Sequence, residues 1–320
     1  FDHRMAMGDQ PLVSVVTATY NRSNVLRHAI ESVLRQTVSR WELIVVGDAC
    51  TDDTAEVVAS FEDSRIQFHN LASNVGEQSG PNNHGAGLAT GKYLAYLNHD
   101  DIWLPEHLAV TTSGIEESNA DLVFSAALGI GSEGNWILSA MPGGVYSPHV
   151  PVPASCWLMR RSLIEEVGPW RYFREIYTVP SQDFLLRAWR AGHHLEPLPE
   201  ITLAIFQSGS KVDSYAHRLE DDHLEFLNGL AHEPGFLQQA FAQAAIAMAA
   251  ERHEMGLIQP VERFAKNAVL RVCGLLGISP QRLRSRVVHR RKGRAIDKLR
   301  KVRGLEPLPP ISSDSAGNKN

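Results

Sequence analysis

The sequence predicts an α/β protein: a mostly parallel sheet flanked by helices, with a helical C-terminal extension. Three observations carry that expectation. Between residues 12 and 126, short β-branched apolar runs alternate with amphipathic runs, the rhythm of strands joined by helical crossovers. The runs at 12–18 (LVSVVTA) and 41–47 (WELIVVG) are largely apolar, as strands covered on both faces are. From about residue 215 to residue 303 helical spacing takes over.

Each element has its own signal. After the first strand, Asn21 or Ser23 caps a helix whose apolar positions Val25, Leu26, Ala29, Ile30, Val33 and Leu34 repeat with helical spacing. Residues 41–47 form the second strand, 52–61 a helix and 65–71 a third strand. Residues 78–90 turn helical after a Gly/Pro/Asn-rich entry. KYLAYLN at 92–98 is a fourth strand that stops at His99-Asp100-Asp101. A helix over 104–118 and a strand over 121–126 follow. The rhythm then breaks: 129–144 reads as a hairpin or loop excursion, 154–160 as a strand, 181–191 as a helix and 199–206 as extended. The C-terminal region is helical, Ala-rich over 236–251 and interrupted near 256–260.

Composition sets the class. Of 320 residues, 43% are hydrophobic and 21% charged, which excludes collagen-like, disulfide-miniprotein and wholly disordered chains. The cysteines are Cys50, Cys156 and Cys273, without a CxxC, so neither a disulfide framework nor a zinc–cysteine site is expected and a reducing compartment is. No run reaches the roughly 18–20 consecutive apolar residues of a membrane span. The formal charge of −5 is uneven, because residues 282–303 hold eleven Lys/Arg against Asp297 alone. That segment also places Ala295, Leu299 and Val302 on one helical face beside Ile296. It is expected to lie on an anionic membrane surface or to pack as a helix on the acidic body; a nucleic-acid partner is not expected. Residues 1–10 read as a tag remnant and start, and 307–320 as a disordered tail.

The common phosphate and nucleophile motifs are missing. There is no G-x-x-x-x-G-K-[ST], no G-x-G-x-x-G after the first strand, no G-x-S-x-G and no H-E-x-x-H. What remains is a set of polar residues just past strands, where open α/β sheets bind ligands. Asp48 follows the second strand and Asp100-Asp101 the fourth. Acids so placed suit Mg²⁺ or Mn²⁺ bound together with phosphates; equally, Asp100 or Asp101 would cap the next helix.

Four segments in order carry a resemblance: PLVSVVTATYNR from residue 11, WELIVVGDACTDDT from 41, NVGEQSGPNNHGAGLATGKYLAYLNHDDIWLPEHL from 74, and SQDFLLRAWRAGHHL from 181. Together, over residues 11–206, they resemble the inverting glycosyltransferases of family 2, which have the GT-A fold of nucleotide-diphospho-sugar transferases. The resemblance implies a GT-A domain over 11–210 and a helical extension with the basic tail over 211–306.

It also implies roles. Thr17, Tyr20 and Arg22 would line the nucleotide pocket, with Tyr20 stacking on the base. Asp48 would accept the base's imide N–H. Gln78 and Asn82, with Glu77, would supply polar contacts. Asn98, His99 and Asp100 stand in a DXD-like motif, with Asp100, supported by Asp101, as the metal ligand for Mn²⁺ or Mg²⁺ on the diphosphate. Asp183 would be the general base; its other reading is a helix cap. Trp157, Trp170 and Tyr172 are aromatic candidates for the acceptor sugar. The implied setting is polysaccharide biosynthesis, cytoplasmic or peripheral at the inner membrane face, with a glycan or lipid-linked acceptor.

The sequence departs from the family pattern at Asn98, which replaces an acid, at Gly47, which replaces the first acid of a frequent D-D-G-S, and at Gly80-Pro81, where a common Arg is absent. Gln182 replaces the Glu before the base. These departures keep two alternatives open: a nucleotidyltransferase on a similar fold, and a non-catalytic nucleotide-sugar-binding module.

Overall fold

The computed structural model describes residues 10–132, 134–141, 143–148, 150–207, 211–257, 272, 292–306 and 308. β1 (Val13–Thr19), β2 (Trp41–Gly47), β3 (Ile66–Asn70) and β4 (Tyr93–Tyr96) pair in parallel in the order β3-β2-β1-β4. Between them run α1 (Ser23–Leu34), α2 (Thr54–Ala59) and α3 (Ser79–Leu88). The apolar stripe of α1 is why it packs: Val25, Leu26, Ala29, Ile30 and Val33 are all buried. One polar network ties this half together. The Glu42 carboxylate accepts from Ser14 Oγ (2.6 Å), Thr90 N (2.8 Å) and Thr90 Oγ1 (2.8 Å), and Gly91 N donates to Ser14 Oγ (2.8 Å). A side chain at Gly91 would meet Ser14 N at 2.7 Å, so only glycine lets β4 enter beside β1.

Beyond β4 the sheet is mixed. It continues β4-β8-β6-β9-β5 through β8 (Trp157–Arg160), β6 (Leu122–Ile130), β9 (Leu195–Phe206) and β5 (Asp101–Trp103), with β7 (Trp136–Leu138) on β6. β8 runs antiparallel to both β4 and β6, and β5 antiparallel to β9, whereas β6 and β9 are parallel. The expected mostly parallel sheet is therefore parallel only in its N-terminal half. α4 (His107–Ser118) starts three residues later than its sequence pattern, because Ile102 and Trp103 are drawn into pairing with β9. The expected excursion at 129–144 is a hairpin, with Ala127 opposite Leu138.

α5 (Leu163–Val167) and α6 (Pro180–Arg190) pack on each other, and Phe184 of α6 stacks on Trp157 of β8. α7 (Asp221–His232) and α8 (Phe236–Leu257) close a second apolar cluster, in which Phe226, Ala240 and Ala244 meet Ile102, Leu128, Ala204 and Phe206. α9 (Arg294–Val302) returns to the C-terminal rim of the sheet. Residues 1–9, 282–291 and most of the expected disordered tail lie outside the described residues, as does Cys273. Among the described residues no helix is long and apolar enough to cross a membrane.

Candidate active site

A cleft of about 230 Å³ opens where β1, β2 and β4 end. Tyr20 comes from the β1 end, Asp48 from β2, and Asn98, His99 and Asp100 from β4, while Gly76, Glu77 and Gln78 come from the loop before α3. The parallel half of the sheet fixes this convergence, since its strands deliver their carboxyl ends to one side.

Asp48 organises the β2 side of the cleft. Its carboxylate accepts Val75 N at 2.7 Å and Gly76 N at 2.8 Å, and its own carbonyl accepts Asn74 Nδ2 at 2.8 Å. Burial pushes its pKa up, while the two amides and the Arg300 charge oppose the rise. Gly76 sits at φ +89°, a conformation that favours glycine. The loops after β1 and β2 are stitched together by Asn21, whose Oδ1 accepts Thr51 N at 2.8 Å.

The Asn98-His99-Asp100-Asp101 run splits between two faces. His99 Nδ1 lies 3.1 Å from the Ala18 carbonyl and Nε2 3.2 Å from the Tyr215 hydroxyl. A carbonyl only accepts, so Nδ1 carries the proton and the Tyr215 hydroxyl donates to Nε2. Burial lowers His99 to about 4, which keeps it neutral near pH 7. Asp100 faces the cleft. Burial alone would raise its pKa, but His99 and the guanidinium charges of Arg303 and Arg22 outweigh it and hold the carboxyl below its ordinary range. Asp101 is 2% exposed, turned away from the cleft, and accepts Ser155 Oγ (2.5 Å) and Asn98 Nδ2 (2.9 Å). Burial, reinforced by the Asp100 charge, pushes it up to about 8. Asp101 therefore holds β5 to the β8 entry; it neither meets the cleft nor caps α4.

Other sequence expectations also land off the wall. Thr17 and Asn82 are buried and do not line the cleft. Arg22 is fully buried, and its guanidinium donates to the Ser214 and Leu219 carbonyls (2.5 and 2.8 Å) while lying 5.1 Å from the Tyr215 ring. Its job is to hold the segment that presents Tyr215. Trp157 and Trp170 are buried in an aromatic cluster with Tyr96 and Phe184, so they are core and not acceptor platforms.

Asp183 sits in the first turn of α6, 1% exposed. Its Oδ2 accepts Arg187 Nε at 2.9 Å and its Oδ1 lies 3.9 Å from Arg171 Nη1. It is not on the cleft wall, but Val179, the residue that opens α6, is. Asp183 lies four helical steps beyond Val179, a rise of about 6 Å. Thus Asp48 and Asp100 converge on the cleft, and Asp183 stands one helical turn behind it, held by arginine.

Of the three carboxylates that line the cleft, Asp48 is taken up by the Val75 and Gly76 amides and Glu77 by Ser79, which leaves Asp100 for a divalent cation. Among the described residues no group of three or more His, Cys, Asp or Glu gathers as a metal cluster. That donor set fits a cation of the Mg²⁺ type, which takes one or two carboxylates and fills its shell with substrate phosphates and water.

Sequence reasoning missed the far wall. Tyr215, the α9 residues Ile296, Leu299 and Arg300, and Arg303 at the C-cap of α9 line the same cleft. The signal was present: 296, 299, 300 and 303 follow the i, i+3, i+4, i+7 pattern of one helical face.

Glu77 yields a pH test. Half-buried in the cleft, it accepts Ser79 N at 2.8 Å, and burial lifts it to about 7. A carboxyl raised on folding binds its proton more tightly in the native state, so stability falls as pH climbs from about 4.5 to about 7 and stays reduced above. Glu77→Gln is expected to remove that slope, gaining on the order of 2–3 kcal/mol relative to wild type between pH 4 and pH 8. Urea unfolding at the two pH values measures it; an equal difference at both would refute the shift.

Comparison with known proteins agrees with this architecture. Residues 14–168 match the family model "Glycosyl transferase family 2". It is 34% identical over 116 residues to the Escherichia coli UDP-Glc:alpha-D-GlcNAc-diphosphoundecaprenol beta-1,3-glucosyltransferase WfgD, covering 36% of this chain and 46% of that one. It is 27% identical to the putative glycosyltransferase EpsE of Bacillus subtilis, over 66% of this chain and 78% of that one. The chain spans less than half the length of the first curated relatives it matches. By structure it is similar to Staphylococcus aureus TarS 1-349 in complex with UDP-GlcNAc (TM-score 0.54, 20% identity, 68% of this chain and 66% of that one). It is also similar to the mannosyltransferase PcManGT from Pyrobaculum calidifontis in complex with GDP-Man and Mn²⁺ (TM-score 0.51, 15% identity, 93% and 88%). The fold is GT-A.

Proposed function

We propose that the protein is an inverting glycosyltransferase that moves a sugar from a nucleoside-diphosphate donor to a hydroxyl of a glycan or lipid-linked acceptor. The observation that carries this reading is the placement of Asp48 and Asp100 on one cleft at the strand ends, in a chain whose residues 14–168 match the family 2 model. Tyr20 stacks on the base and Asp48 accepts its N–H. Asp100, with the donor phosphates, would hold a divalent cation. When bound, that cation supplies Lewis-acid stabilisation of the leaving diphosphate. Asp183 takes the proton from the acceptor hydroxyl as the oxygen attacks the anomeric carbon from the face opposite the diphosphate. One protein carboxylate suffices, because the leaving group departs as an anion and needs no protein acid. Arg187 pairs with Asp183 and keeps it aligned until the acceptor arrives. Lipid-linked acceptors have support in the activity of WfgD, and a UDP or GDP donor in the ligands of the structural neighbours.

The test is product analysis. Purified protein is incubated with UDP- and GDP-sugars, Mn²⁺ and a polyprenyl-diphosphate glycan. Release of nucleoside diphosphate with an inverted anomeric bond supports the reading. Pyrophosphate release would point to a nucleotidyltransferase. Donor binding without turnover would mean a binding module.

A further inference from the structure

The basic C-terminal segment is not a free tail where it can be followed. α9 docks on the cleft by Ile296, Leu299 and Arg300, with Arg303 at its C-cap, and Ile296 is 5% exposed. Its start is fixed by Gly293 N donating to the Ile176 carbonyl (3.0 Å), and its end by Asp213 N donating to the Val302 carbonyl (2.8 Å). Arg300 is 8% exposed although charged. It donates from Nη1 to the Gly76 carbonyl (2.8 Å) and from Nη2 to the Glu306 carbonyl (2.8 Å). Gly76 belongs to the loop held by Asp48, so Arg300 ties α9 to the β2 side of the cleft.

Arg303 lies one turn further on. Its guanidinium rests 5.0 Å from the centre of the Tyr215 ring, opposite a ring that Arg22 also approaches at 5.1 Å. Tyr215 in turn bonds His99, the neighbour of Asp100. Arg303 lines the cleft, and a guanidinium is the side chain whose fork of N–H groups matches phosphate oxygens. The cleft meanwhile carries Asp48, Glu77 and Asp100 on the wall that a doubly negative diphosphate would approach. One cation on Asp100 leaves that charge incompletely balanced.

We propose that α9 completes the donor site: Arg303 binds the diphosphate of the nucleotide opposite Asp100, and Arg300 is the positioning residue that sets the helix against the Asp48 loop. This rests on the donor reading given under Proposed function. It also assigns the described part of the basic segment to the donor pocket, where the sequence pattern alone left a membrane surface or the acidic body as its partner.

The test uses calorimetric titration of the full chain, wild type, Arg303→Ala and Arg303→Lys, with uridine, UDP, guanosine and GDP, in EDTA and again with Mn²⁺. Loss of a charge-assisted bidentate contact predicts diphosphate affinity lowered about 10- to 100-fold in Arg303→Ala, in EDTA as well as with Mn²⁺, and partly restored in Arg303→Lys. Affinity for the matching nucleoside is expected to stay within about twofold, a result that a merely structural role would not give. An equal loss for nucleoside and diphosphate would overturn the assignment, as would unchanged or tighter diphosphate binding, which would make α9 a plug. If wild type binds no nucleoside diphosphate, the donor reading itself fails; if wild type binds and Arg303→Ala matches it, only the role of α9 fails.

Discussion

Asp183→Asn is expected to cut sugar transfer by about 10²- to 10⁴-fold, the range in which a general base acts, while nucleotide affinity stays within about twofold of wild type. The substitution keeps the shape. The amide oxygen still accepts Arg187 Nε, and Arg187 is held independently by the carbonyls of Val167 and Pro169 (2.5 and 2.7 Å). What is lost is the ability to take a proton. Because Asp183 is 1% exposed and paired, the variant also tests whether α6 opens to the acceptor. A measured kcat near that of wild type would remove Asp183 from the chemistry and leave its arginine pair as a helix brace.

Asp100→Asn is the second large effect. Lewis-acid stabilisation contributes several kcal/mol to a transition state, so losing the carboxylate predicts at least a ~100-fold drop in kcat/KM and loss of the Mn²⁺ response. Asp101→Asn is the control. Its side chain already accepts from Ser155 and Asn98 and is pushed up to about 8 by burial and the Asp100 charge, so it holds a proton near pH 7. An amide there is expected to leave the metal response intact. Steady-state rates against Mn²⁺ concentration separate the two; a variant pair with the opposite pattern would exchange their roles.

Much of the parallel half was legible in the sequence. Continuous β-branched runs mark β1 and β2 because both faces are buried, and the polar residues that follow them fall at the cleft for a topological reason. The mixed half was less so. β5 is three residues long, and its pairing with β9 spans about a hundred residues of sequence, so no local pattern announces it. Within the DXD-like run, sequence adjacency hid a side-chain alternation: Asp100 faces the cleft and Asp101 the β8 side. Arg22 and Thr17 were read as pocket residues from position in a motif, yet folding buries both. The largest omission, α9, was a matter of distance along the chain. A basic amphipathic helix reads the same whether its partner is a membrane or the protein's own cleft, and only tertiary structure places it beside Asp100.

The donor cleft at the strand ends is the centre of this account, and its most direct test is a thermal-shift panel of UDP, GDP, ADP and CDP with wild type and Asp48→Ala, with and without Mn²⁺. At a hundredfold excess over Kd, binding adds about 2.7 kcal/mol, which corresponds to a rise in Tm of several degrees for a chain of this size. One base is expected to raise the Tm of wild type, more so with Mn²⁺, and Asp48→Ala to abolish the rise. A Tm that no nucleotide moves, or one that moves equally in Asp48→Ala, would contradict it.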